Sequence, residues 1–349
     1  MSTSLSPSSP RSPARPTWQR SLQAAVRDLD DLCHRLNLEP PAGPRPPGHE
    51  FPLLVPREYL EKIRPGDPRD PLLLQVLPQP AEDMPTPGYT PDPVGDLAAQ
   101  TAPGVLQKYA GRALILPTTS CAVHCRYCFR RNYLSPDFFD PGPESSGPTR
   151  HPIRQRLQQA LAVLRSDPSL REVILSGGDP LMVDDALWAS WTQDLVQIEH
   201  IETLRIHTRL PVVIPSRIDE RFLEWTDALR IPLVMVLHAN HPREIDGALE
   251  EALTPLRRRG VVLLNQSVLL RHVNDDADVL AELSRRLLQA GVLPYYLHQL
   301  DRALGTAHFA VSDQQAKAIV EELRARLPGY LVPRLVREEP GRPHKTPLA

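Results

Sequence analysis

Three cysteines stand within eight residues, in the run Cys121-Ala-Val-His-Cys125-Arg-Tyr-Cys128. Four-iron clusters are usually held by four thiolates. The spacing C-x3-C-x2-C supplies one too few, so one iron is left open, and an open iron can bind a small molecule. The other chemistry available to the run is a zinc site, with His124 as the fourth ligand. A second motif is Ser176-Gly177-Gly178-Asp179-Pro180. Two glycines let the backbone approach a ligand closely, and Asp179 can accept hydrogen bonds from an ammonium group. The same residues also spell a turn. A third candidate is Lys345, in the Gly/Pro-rich segment Pro340–Leu348, where a lysine on its own reads as a solvated tail residue.

The elements that must position these groups come from the apolar pattern. Strand-like runs fall at Ala113–Leu116, Val173–Leu175, Leu204–Ile206, Leu233–Leu237, Val261–Leu264 and Tyr295–Leu297. Helical patterns separate or follow them at about 152–166, 184–198, 217–229, 243–258, 276–290 and 312–326. Six strand–helix units predict an α/β fold with a parallel sheet, short of the eight units of a full barrel. Cys121, the Ser176–Pro180 loop, His207-Thr208-Arg209, His238 to His241, Asn265-Gln266-Ser267 and His298 to Asp301 each follow one strand. In barrel enzymes that C-terminal face carries the active site, and six such groups favour a single site there.

Upstream, residues 1–17 are rich in Ser, Pro and Arg and are expected to be a disordered tail. Trp18, Leu22, Val26, Leu29, Leu32 and Leu36 recur at helical spacing. Residues 18–103 therefore predict a helical and irregular layer, too proline-rich for a regular sheet. Residues 104–330 form the core, and 331–349 a C-terminal segment packing on it. The chain has 349 residues, 41% of them hydrophobic, and a formal net charge of -2. No basic field argues for nucleic acid, and no apolar run suits a membrane span. The N-terminus lacks an apolar signal core, and crowded cysteines suit a metal site in a reducing cytoplasm. The fourth cysteine, Cys33, reads as a small buried hydrophobe.

With these motifs the chain resembles the radical S-adenosylmethionine (radical SAM) superfamily, and within it the lysine 2,3-aminomutase family over roughly residues 95–349. Tyr127 before the last cysteine fits the superfamily pattern. Ser176 to Asp179 is similar to its GGE-type motif, with Asp for Glu as in the aminomutase branch. Asn265 to Arg271, Tyr295-Tyr296 and Gly305 to Phe309 extend the likeness. The resemblance implies a partial (β/α)6 TIM-like barrel of the radical SAM type with a mostly helical, proline-rich N-terminal extension. It implies a [4Fe–4S] cluster on Cys121, Cys125 and Cys128, and S-adenosylmethionine on Ser176, Gly177, Gly178 and Asp179. Lys345 would carry pyridoxal 5′-phosphate as a Schiff base, with Lys108 and Arg112 in its neighbourhood and Asn265 and Gln266 near either cofactor. Arg130 would hold the substrate carboxylate, and Asp301 and Glu338 the ε-ammonium of L-lysine, Glu338 standing where the family has Asp.

The family's free-standing enzymes continue past the cofactor lysine with cysteines for an intersubunit zinc. Here four residues follow Lys345 and no cysteine follows Cys128, so that zinc is not expected. The sequence is similar to a short bacterial subfamily that makes (R)-β-lysine for modification of translation elongation factor P. The expected partners are therefore L-lysine, elongation factor P with its lysine ligase, and a flavodoxin- or ferredoxin-type electron donor. The alternatives are an arginine 2,3-aminomutase, a radical SAM enzyme without pyridoxal phosphate, or a non-catalytic iron–sulfur scaffold.

Overall fold

Val-, Ile- and Leu-rich strands buried on both faces belong in a parallel sheet covered by helices. In the computed structural model, which describes residues 17–40, 51–132 and 152–349, they form one sheet whose strand order follows the chain. It opens with two short antiparallel strands, β1 (Gln100–Ala102) and β2 (Val105–Leu106). Strand β2 pairs antiparallel with β3 (Arg112–Ile115). Then β3, β4 (Glu172–Leu175), β5 (Thr203–Thr208), β6 (Leu233–Leu237), β7 (Val262–Leu269), β8 (Leu293–Gln299) and β9 (Arg334–Arg337) run parallel. Strand β10 (Thr346–Pro347) returns antiparallel on β9. No pairing joins the two edges among the described residues, so the fold is a partial barrel and not a closed one.

Preceding the sheet are α1 (Thr17–Gln23), α2 (Leu29–Arg35), α3 (Arg57–Leu60) and α4 (Pro71–Leu74). The crossovers carry α5 (Pro152–Ser166), α6 (Asp185–Leu195), α7 (Leu210–Val213), α8 (Glu220–Asp227), α9 (Gly247–Arg258), α10 (Ala277–Gln289) and α11 (Asp313–Arg326). Helices α6, α8, α9, α10 and α11 begin where Asp184, Asp219, Asp246, Asp276 and Ser312 accept a backbone N–H as N-caps. The windows at 217–229 and 243–258 started too early, because proline-led 3₁₀ turns, Pro215–Arg217 and Pro242–Glu244, precede those caps.

The six expected parallel strands are present, but the sheet is larger. Strands β9 and β10 come from the segment read as a packed tail, and β1 lies inside the layer judged too proline-rich for sheet. The single helical pattern over Trp18–Leu36 is two helices. Between them Val26 leaves helical geometry to bridge Val55, exchanging backbone hydrogen bonds of 2.8 and 2.9 Å. Thr17 opens α1; the rest of the expected disordered tail lies outside the described residues. Cys33 is buried in α2.

Candidate active site

One cavity of about 670 Å³ opens at the C-terminal ends of the parallel strands. Strand alternation decides who lines it, because successive side chains point to opposite faces. Arg205 and His207 of β5, Gln266 and Val268 of β7, Tyr296 and His298 of β8, and Arg334 and Val336 of β9 all face it. Beyond β9 the same alternation brings in Glu338.

The three cysteines line this cavity on the loop after β3. The loop is fastened to the N-terminal layer. Arg126, fully buried, donates to both carboxylate oxygens of Glu82, Nε at 2.8 Å, and to the Phe51 carbonyl at 2.9 Å. Arg131 joins the same carboxylate at 2.6 Å. The N–H groups of His124 and Arg126 bond the carbonyls of Leu54 and Gln75. His124 does not line the cavity with the three cysteines; its Nδ1 lies 2.8 Å from the Pro52 carbonyl and its ring sits against Phe51. Burial, with the neighbouring sulfurs, raises Cys121 well above its ordinary value and pushes Cys128 up to about 11. Without a metal these groups stay protonated thiols. An iron cluster that takes them as thiolates supplies the missing positive charge, and the trio on one cavity wall fits it.

The loop after β4 packs backbone to backbone on the cysteine loop. Gly178 N–H bonds the Thr118 carbonyl at 2.9 Å, and Asp179 N–H the Ser120 carbonyl at 2.8 Å. A Cβ on Gly178 would lie 2.4 Å from the Ser120 oxygen, and Gly177 has φ +109. Both glycines are therefore needed for this approach. Asp179 departs from its expected role. Its buried carboxylate accepts from the Thr208 hydroxyl and the N–H groups of Leu181, Arg209 and Leu210, which ties the loop to the end of β5. With four donors already on it, Asp179 is an anchor, not a free acceptor for an ammonium. Asp179 still lines the cavity, together with Ser176, Gly177 and Gly178.

Across the cavity a chain of charges runs between the two cofactor motifs. Lys345 pairs with Glu338; the other oxygen of Glu338 accepts from Lys108 at 2.7 Å. Lys108 reaches Asp96 at 2.6 Å, and Asp96 holds Arg130 Nε at 2.8 Å. Arg130 ends on the Ser176 hydroxyl at 3.1 Å. Burial raises the Glu338 carboxyl, but Lys345 and Lys108 outweigh it and hold the group down to about 2. Asp301 goes the other way. Burial first and the Glu338 charge second push it up to about 7, against the pull of Lys345 and Lys108. Arg112 stands at the rim, 3.8 Å from Glu172.

Asn265 is a correction. It follows β7's buried face, bonds the Ala239 N–H and carbonyl at 2.9 and 3.0 Å, and does not line the cavity. Its neighbour Gln266 does, 2.6 Å from His238. Successive strand residues point to opposite faces, which is why Gln266 faces the cavity and Asn265 does not. Asp96 went unnoticed in the sequence, where an aspartate in a proline-rich stretch carries no signal. The histidines were visible only as residues after strands. His207 is held well below its ordinary value by burial, and His238 and His298 are lowered to about 3 for the same cause. They are neutral donors and acceptors. Among the described residues, His207 Nε2 and His298 Nε2 are buried with no partner, as expected of a cavity wall built for a polar ligand.

A parallel α/β sheet with a cysteine trio at its C-terminal edge defines an iron–sulfur enzyme of the radical SAM class. Residues 110–203 match a family model described as a 4Fe-4S single cluster domain. The chain is 45% identical to L-lysine 2,3-aminomutase of Escherichia coli, covering 96% of this chain and 95% of that protein. It is 43% identical to that of Haemophilus influenzae, over 94% of each. It is 36% identical to that of Clostridium subterminale, covering 83% of this chain and 67% of the other. A solved radical SAM methyltransferase from Sphaerobacter thermophilus aligns at 18% identity with a TM-score of 0.43, over 67% of this chain and 68% of the other. The chain belongs to the L-lysine 2,3-aminomutase family. Among the described residues, no helix is long and apolar enough to cross a membrane.

Proposed function

We propose that the chain is a lysine 2,3-aminomutase that converts free L-lysine to (R)-β-lysine. The observation that carries this is the single cavity joining the cysteine trio, the Ser176–Gly178 loop, Lys345 and a carboxylate pair. When bound, the cluster and S-adenosylmethionine supply a carbon radical, and pyridoxal phosphate supplies a ring that lets an amino group migrate between adjacent carbons.

The chain's own residues supply position and charge. Cys121, Cys125 and Cys128 would hold the cluster, and the Ser176–Gly178 wall, with the unpartnered His207 and His298 nitrogens, would receive S-adenosylmethionine. Lys345 would anchor pyridoxal phosphate, with Lys108 and Arg112 favouring its phosphate. Arg130, oriented by Asp96, sets a positive charge on the cavity wall that suits a free α-carboxylate, which favours free lysine over protein-bound lysine. Glu338 is engaged by Lys108 and Lys345. Once Lys345 is used for the cofactor, Glu338 gains capacity for the substrate's ε-ammonium beside Asp301. Two acids there disfavour a side-chain carboxylate. The resemblance of the sequence to the short bacterial subfamily is the ground for the further proposal that the product serves elongation factor P modification, with a flavodoxin- or ferredoxin-type protein as electron donor.

The test is anaerobic. Protein reconstituted with iron, sulfide and pyridoxal phosphate is given S-adenosylmethionine, dithionite and L-lysine labelled at its α-nitrogen, and the label is followed by NMR. Label arriving at Cβ is the expected result. Cleavage of S-adenosylmethionine without migration would sink the lysine assignment, and arginine would be tried next. No cleavage by a correctly formed cluster would turn the reading to a scaffold.

A further inference from the structure

Arg209 follows β5 and has no part in the function proposed above. Its side chain is only 5% exposed, yet it is surrounded by acceptors from four parts of the chain. Nη1 lies 2.7 Å from the Cys125 sulfur and 2.6 Å from the Tyr127 hydroxyl. Nη2 donates to Gln75 Oε1 at 2.8 Å and to Glu244 Oε2 at 3.0 Å, and lies 3.3 Å from the Tyr59 hydroxyl. Glu244 is fully buried and is itself fixed, accepting from Gln75 Nε2 and from the N–H groups of Asn240 and His241. The Arg209 backbone N–H is held by Asp179 at 2.8 Å. A guanidinium so clamped cannot turn away from Cys125. Burying a cation this completely is unfavourable unless it is matched by fixed acceptors, and one of those acceptors is a cysteine of the metal-binding trio.

We infer that Arg209 sets the reduction potential of the cluster by donating a charged hydrogen bond to the Cys125 sulfur. This rests on the iron–sulfur reading of the cysteine trio. Hydrogen bonds to ligand sulfurs and the net charge around a cluster are among the levers that fix its potential. An electron from a low-potential donor adds one negative charge to an assembly that is already anionic, and no protein bond breaks. A fixed N–H donor carrying positive charge stabilises the reduced form more than the oxidised one, so it raises the potential. Glu244, sharing the same guanidinium, tempers that effect. Arg209 therefore acts through Cys125, and Glu244 acts through Arg209.

The opposed signs give the test. Wild type, R209Q and E244Q are reconstituted anaerobically, and the cluster is titrated with dithionite in the absence of substrate, with the reduced form followed by EPR. R209Q is expected to lower the ratio of reduced to oxidised cluster about tenfold at a given poise, a shift of about 59 mV for a one-electron couple. E244Q is expected to shift the potential upward. A mere loosening of the fold would move both variants the same way, and that result overturns the inference. So does an unmoved potential in R209Q with a full complement of iron. If R209Q cannot hold iron, E244Q decides, and an unmoved or lowered potential there is fatal. A wild-type protein with no reducible four-iron signal would instead sink the cluster reading itself.

Discussion

Gly178→Ala tests whether the two cofactor loops are one structural unit. The added methyl would meet the Ser120 oxygen at 2.4 Å and the Thr119 carbonyl carbon at 2.6 Å. Both are backbone atoms, so no side chain can swing aside, and the two loops must separate by about an ångström to restore van der Waals contact near 3.4 Å. That movement would break the bonds from Gly178 to Thr118 and from Asp179 to Ser120. Two hydrogen bonds at about 1 kcal/mol each and an overpacking cost of about 1–3 kcal/mol give a loss of about 3–5 kcal/mol. For a chain of 349 residues that corresponds to a melting temperature lower by roughly 4–7 °C. Cys121 directly follows Ser120, so the displaced loop also misaligns a ligand. The assay is thermal unfolding of the metal-free protein together with iron content after anaerobic reconstitution. A variant with unchanged melting and a full complement of iron would refute the packing argument.

The Asp301 prediction has a definite sign. Its carboxyl is raised to about 7 in the fold, above its ordinary value, so the native state binds the proton more tightly than the unfolded chain. Stability from this group is present at low pH and lost as pH rises from the ordinary carboxylate range to about 7. The Asp301→Asn protein, free of ligands, should therefore gain on wild type by on the order of 4 kcal/mol across that window and then level off. Urea denaturation at several pH values checks this, and a pH-independent difference would count against it. Glu82→Gln removes half of a buried pair shared by Arg126 and Arg131. The expected cost is about 3–5 kcal/mol in chemical denaturation, accompanied by poorer iron retention because Arg126 lies inside the cysteine motif. Denaturation unchanged from wild type would show that these ion pairs do not fasten the loop.

Much of this protein was legible in one dimension. Strand β6 has the bounds its apolar run predicts, and helix α5 those of its periodic pattern. Burial on both sides and helical periodicity are local properties, written into consecutive residues. The cysteine trio and the Gly-Gly pair were legible for the same reason, since their chemistry depends on short spacing. Strands β9 and β10 were not, because two to four residues beside prolines become sheet only when an existing edge accepts them. Val26 likewise left its helical pattern for a partner at Val55.

The sequence by itself determined the α/β class, the metal-binding motif and the strand ends that carry polar groups. Only the tertiary structure decided which of those groups meet. Lys108 and Glu338 lie 230 residues apart and share one hydrogen bond. Glu82 and Asp96 are unremarkable acids until the fold sets buried arginines against them. Asp179 and Asn265 look free as letters, yet in three dimensions both are saturated by backbone and hydroxyl partners. A buried polar group must find partners wherever the chain brings them, and those partners are chosen by packing across the whole sheet, which local spacing does not encode.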